Sequence, residues 1–387
     1  MVFVSLSVGT VSSADIDLND TINDTSLNED SNIVHVHSQF SQISLSQTVE
    51  NTEESSDIGN YDGTFYELQY LISNTETGGT LYLNRNYTYD TVADSSLIAG
   101  ITISKSITIV GNGYTIDGLG KARIFTISGS NINFNNIVFT GGYTSTTAGD
   151  SNYRGGAIFT TASNFNISNC TFIDNYAITY GSAIEHWRGS NIWIDNCIFI
   201  NNSAAVDSTV VIEGGGAGYV TNCYFSGNTA QGDRYSTVYL YTGAAYNNVF
   251  VNNSGKQFCT PRSYSVDYNW WGSNNPVWSN LFFGNSYVPV TYAVMNFTNL
   301  NSLSSGMVNF RVSLNTVYNR TSGTYQEFSG IKNRFAVYGS SISSFTGFLN
   351  ESGVYDFTVP WSSGDYIVAV IDGQMIVISD KIGRAHV

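Results

Sequence analysis

Glu185-His186-Trp187-Arg188 is the densest run of chemically able side chains in this 387-residue chain, and Asp174, Asp195, Asp207 and Glu213 lie near it in sequence. Glycoside hydrolysis needs one carboxyl group as acid and a second as base or nucleophile at a fixed separation. Elimination from a sugar acid needs calcium-binding carboxylates and a basic group to take the proton. Four similar tetrads set the register: Gly155-Gly156-Ala157-Ile158, Gly181-Ser182-Ala183-Ile184, Ser208-Thr209-Val210-Val211 and Ser236-Thr237-Val238-Tyr239. Counting two residues past each puts Thr160, His186, Glu213 and Tyr241 in one column, with His186 and Glu213 about 5 Å apart on neighbouring strands. The plainer expectation for Glu185, His186, Trp187, Arg188 and Glu213 is a surface cluster whose ion pair contributes little. No catalytic residue, metal site or cofactor is expected.

These residues sit in a repeat. Asn-x-x-Phe-x-x-Asn recurs at Asn169–Phe172–Asn175, Asn196–Phe199–Asn202, Asn222–Phe225–Asn228 and Asn247–Phe250–Asn253, the phenylalanines stepping by 27, 26 and 25 residues. A degenerate copy keeps Asn136 and Phe139 but has Gly142 in place of the last Asn. Such a period predicts a solenoid, in which each unit buries its apolar face against its neighbours. Cys170, Cys197 and Cys223 stand two residues before a Phe, and Ile167, Ile194, Val220 and Ala245 stand five before. Two apart share a strand face and five apart do not, so the chain must bend between them. Asn169, Asn196, Asn222 and Asn247 fall at that bend, and Asn tolerates the left-handed backbone it requires. Strand, corner, strand, turn, strand is the coil of a right-handed parallel β-helix. A leucine-rich repeat lacks its leucines here.

The paired Gly-Gly-Ala-Ile and Phe-x-x-Asn motifs resemble the polymorphic outer-membrane protein repeats of chlamydiae. Closer still, the chain resembles adhesin-like surface proteins of gut methanogenic archaea, which close such repeats with a Tyr-Asn-Trp-Trp-Gly-Ser-Asn motif, here Tyr268 to Asn274, followed by immunoglobulin-like modules. The resemblance spans roughly residues 64–380 and implies a pectin-lyase-like solenoid, display at the cell surface and adhesion. Polygalacturonases share the β-helix, but their Asn-Thr-Asp and Arg-Ile-Lys motifs are absent.

A net charge of −15 with 15 Lys and Arg excludes a basic nucleic-acid footprint. Three of the four cysteines share a repeat position that Ile137 occupies in an earlier copy, which predicts buried thiols rather than disulfides. Residues 1–14 read as the remnant of a signal peptide and 15–60 as an acidic disordered leader. Thr64 and Glu67 form a capping box over a helix to Asn74 that carries Phe65, Leu68 and Ile72 on one face and caps the solenoid. The β-helix with its caps spans 61–285, with Trp270, Trp271 and Trp278 plugging the far end. Strand signals over 286–380, including an Asp372-Gly373 hairpin turn, predict an immunoglobulin-like β-sandwich. Residues 381–387 look like a translated sequencing adapter, which implies that the natural protein and its membrane or wall anchor continue past Asp380.

The expected function is that of a secreted, extracellular, non-catalytic adhesin-like archaeal protein binding glycans or host or microbial surfaces. A β-helix polysaccharide lyase or hydrolase and a structural cell-envelope component are the alternatives. Sequons at Asn86, Asn166, Asn201, Asn252, Asn296, Asn319 and Asn350 make it a candidate glycoprotein.

Overall fold

A computed structural model of the chain describes residues 61–144, 153–231, 236–259, 265–283, 288–303 and 306–379. The expected signal remnant, acidic leader and adapter-like tail lie outside the described residues. Asparagine corners define the coil. Asn136, Asn169, Asn196, Asn222 and Asn247 have φ between 51° and 59°, and each strand breaks there, as between Phe165–Ser168 and Thr171–Ile173. A second left-handed column, Gly141, Asp174, Asn201, Gly227 and Asn252, turns the chain again two residues after each Phe. The coils stack into a parallel β-solenoid of about six turns.

Among the described residues, three seven-stranded parallel sheets and one of four strands form its walls. Sheet 1 holds the strands before the Asn corner (Phe165–Ser168, Ile192–Asp195), and sheet 2 those after it (Thr171–Ile173, Ile198–Ile200). Sheet 3 contains Ile158–Thr160, Ile184–Trp187 and Val210–Glu213, and the small sheet 4 contains Tyr176–Ala177 and Ser203–Ala204. The helix Phe65–Asn74 buries Phe65, Leu68 and Ile72 in the solenoid core. Its first amides are held by Thr64 and also by Asp94, whose carboxylate accepts from Phe65 and Tyr66 at 3.0 and 2.7 Å.

Two ladders run through the interior. Phe172, Phe199, Phe225 and Phe250 stack with centroids 4.6–4.9 Å apart and planes within 5°. Phe139 extends the stack at one end and Trp271, at 4.8 Å from Phe250, closes it at the other. Beside it, Asn175, Asn202, Asn228 and Asn253 link amide to amide at 2.8–3.0 Å. Each Nδ2 also donates to a phenylalanine carbonyl, as Asn202 does to Phe172 at 2.9 Å. Every buried amide is therefore satisfied by the coils above and below, and the ladder fixes their register.

Cys170, Cys197 and Cys223 are buried and unbridged, and their thiols donate to the carbonyls of Ser168, Asp195 and Thr221 at 3.1–3.3 Å. Burial pushes the Cys170 and Cys197 thiols well above their usual range. A thiol-reactive dye without denaturant is expected to modify at most Cys259, which is half-buried, and all four cysteines in guanidinium. Rapid native labelling of three or more would show the column to be accessible.

Beyond the solenoid, two four-stranded antiparallel sheets enclose a second core. Two of their strands, Thr324–Glu327 and Ile342–Phe348, escape the sequence reading because they are largely exposed and lack a clean apolar alternation. Asp372 and Gly373 both have positive φ, as a tight hairpin turn requires. The Tyr268–Asn274 motif does more than plug the solenoid. Asn269 accepts from Asn248 in the interior, Trp271 ends the ring stack, and Trp270 donates its indole N–H to Asp372 at 2.9 Å. Asn274 exchanges two bonds with the Met295 backbone, at 2.9 and 2.7 Å.

Candidate functional site

Strand alternation divides Ile184–Trp187 between two environments. Ile184 and His186 face the interior, where Ile184 pairs with Val210 and His186 with Ile212. Trp187, on the outer face, pairs with Glu213. The expected His186–Glu213 column is therefore wrong by one residue. Ser182 lies beside Ser208, not Thr209, so Asp207 takes the place of Gly181 and the tetrads are offset. Interior packing sets this register, since Val210 and Ile212, not Val211, join Ile184 in the solenoid core.

His186 is 1 % exposed, and its Nε2 lies 2.9 Å from the Ala162 carbonyl. The ring fits because residues 189 and 214 are glycines. A Cβ on Gly189 would come within 2.4 Å of His186 Nε2, and one on Gly214 within 2.8 Å of its Cε1. Burial lowers the imidazole pKa, so the ring is held neutral. It is a core residue and not part of a surface cluster.

Glu185 does lie on the outer face but is covered, with no exposed surface. Arg154 closes over it, with Nη1 3.0 Å from Glu185 Oε1 and 3.6 Å from Glu213 Oε2. The same guanidinium lies 4.4 Å from the Tyr180 ring centre and 5.1 Å from that of Trp187, and Arg188 lies 4.2 Å from Trp187 on its own account. Buried Arg123 fastens this loop by donating to the Arg154 and Gly155 carbonyls at 2.7 and 3.1 Å. Desolvation pushes the Glu185 carboxyl well above the ordinary range against the pull of Arg154, with Glu213 and Asp207 raising it further. Asp207 is pushed up to about 6, mainly by burial, while its bonds to Ser208 oppose the shift.

Three carboxyl groups thus surround one arginine, an arrangement sequence reasoning missed because Arg154 lies a full coil away from Glu185. Perturbed acids of this kind occur at active sites and in structural ion-pair networks alike. Glu185, sealed beneath Arg154, cannot meet a polymer substrate in this arrangement. Among the described residues no group of three His, Cys, Asp or Glu side chains is placed to hold a metal ion.

The outer wall of sheet 1 is open by comparison. Trp193 and Tyr219 occupy one outward column and stack at 6.1 Å with planes 9° apart. Tyr143 and Tyr176 stack likewise at 5.2 Å on sheet 4. The outward parity of Trp193, between inward Ile192 and Ile194, was the signal available for it. Of the sequons, Asn86, Asn166, Asn201, Asn252 and Asn350 are exposed, while Asn296 and Asn319 are half-buried. No helix among the described residues is long and apolar enough to cross a membrane. No protein-family model, curated protein or solved structure matches the chain.

Proposed function

We propose that the chain is a non-catalytic, adhesin-like surface protein that holds glycans along the outside of a stiff solenoid. The observation that supports this is the contrast between its two walls. The Glu185 carboxyl on sheet 3 is closed over, whereas ring and amide columns on sheet 1 face solvent. Rigid repeated contacts, each weak, gain strength by acting together on one polymer. The export and glycosylation expected of such a protein belong to the same proposal.

A polysaccharide hydrolase is the second reading, and the Asp207 carboxyl at about 6 beside Glu213 favours it. One experiment separates them. The full chain is passed over immobilised pectins, mucin glycans and microbial wall polymers, and the eluate is assayed for new sugar ends. Retention without cleavage is the expected result. Cleavage lost in Asp207→Asn would establish the hydrolase, and neither retention nor cleavage would favour a purely structural envelope role.

A further inference from the structure

The outer face of sheet 1 reads, coil by coil, Asn133, Asn166, Trp193, Tyr219 and Ala244 in one column. The neighbouring column reads Asn135, Ser168, Asp195, Thr221 and Tyr246. Trp193 and Tyr246 are 37 % and 39 % exposed. The stacked pair ends abruptly. Before Trp193 the column holds Asn166, so the second face of the indole looks over a short polar side chain instead of another ring.

The polar groups left around Trp193, from Asp195 and Asn166, are acceptors. Asp195 uses Oδ1 for Thr221 and Asn222, at 2.5 and 2.7 Å, which leaves its second oxygen to solvent. Asn166 donates its amide to Asn133 at 2.8 Å, on the side away from Trp193, which leaves its carbonyl oxygen for a ligand. Neither column carries a lysine or arginine in any strand of the sheet.

We propose that this face is a subsite for a neutral pyranose unit of a polysaccharide. The apolar C–H face of the sugar lies against the free face of Trp193 above Asn166, and its hydroxyls donate to Asp195 and Asn166. A uronic or sialic acid is rejected because its carboxylate would meet Asp195 with no cation to offset the repulsion. The inference rests on the glycan-holding reading and adds to it a place and a class of sugar.

The test titrates the full chain with a soluble β-glucan, a mannan, a chitin oligomer and polygalacturonate, followed by tryptophan fluorescence and calorimetry. At least one neutral polymer is expected to bind and polygalacturonate not to. Trp193→Ala should weaken binding at least tenfold, Tyr219→Ala less because its ring only backs the indole, and Trp193→Phe should retain most of the binding. Tyr70→Ala, on the cap helix, should change nothing. Asp195→Lys should admit polygalacturonate. Because Trp193 is solvent-facing, unchanged circular dichroism is expected and confirms that the variants fold. Binding by the wild type that survives both ring substitutions overturns this subsite while leaving the glycan-holding reading intact. Binding of polygalacturonate alone overturns the sugar class, and binding of none of the four probes overturns the subsite as drawn. Retention of wild type by no glycan in the wider panel overturns the glycan-holding reading itself.

Discussion

Phe199→Ala is expected to destabilise the solenoid by about 3–5 kcal/mol, the usual cost of emptying a buried aromatic site. The ring lies between Phe172 and Phe225, at 4.9 and 4.6 Å, and has no exposed surface. Collapse cannot relieve the cavity, because backbone hydrogen bonds and the Asn175–Asn202–Asn228 amides hold the neighbouring coils at their spacing. Phe199→Leu should lose distinctly less. Denaturant unfolding followed by circular dichroism and fluorescence measures both. A loss below about 1 kcal/mol for Phe199→Ala would mean that the stack adds little beyond the ladders around it.

Arg154→Met should have an effect of similar size at pH 7.5 but a different dependence on pH. Removing one partner of a buried ion pair costs about 3–5 kcal/mol because the other charge is stranded. Glu185 already holds its proton more tightly than an exposed carboxyl, and without the guanidinium it holds it more tightly still. A carboxyl whose pKa is raised by folding contributes stability that is fully present below its unfolded value, near pH 4, and is lost as pH rises through the folded value. The deficit of the variant should therefore shrink as pH falls from 7.5 toward 5. Neutral His186 works the other way, losing stability on acidification, but it does so in both proteins and cancels in the comparison. A deficit that stays constant with pH would assign the role of Arg154 to its packing on Tyr180 and Trp187.

Much of the frame is readable before any coordinates. Asn-x-x-Phe-x-x-Asn encodes both a corner and an inward ring, and Asn169, Asn196, Asn222 and Asn247 take the left-handed backbone that the parity conflict between Ile167 and Phe172 demands. The turn expected after the second strand could not be assigned its residues, because Asp174, Asn201, Gly227 and Asn252 differ in type and share only a tolerance for positive φ. The site was harder to read. Coil lengths vary between corners, so a tetrad alignment slipped by one residue and set outward Glu213 beside inward His186, where Ile212 belongs. Parity places Glu185 on the outer wall correctly, but parity is a property of one strand. What covers that strand depends on Arg154, which reaches it from the loop of the preceding coil and rests on Tyr180.

The amide and ring ladders run along the solenoid axis, as do the hydrogen bonds between coils, and this gives the protein a direction in its response to force. A pull on one end of the chain loads the terminal coil first and leaves the next untouched until that coil has peeled away. Each released unit of the four motif repeats, 25 to 27 residues, frees about 90 Å of extended chain. Under tension the solenoid would lengthen in a series of similar steps, absorbing work at each one while the coils behind keep their shape.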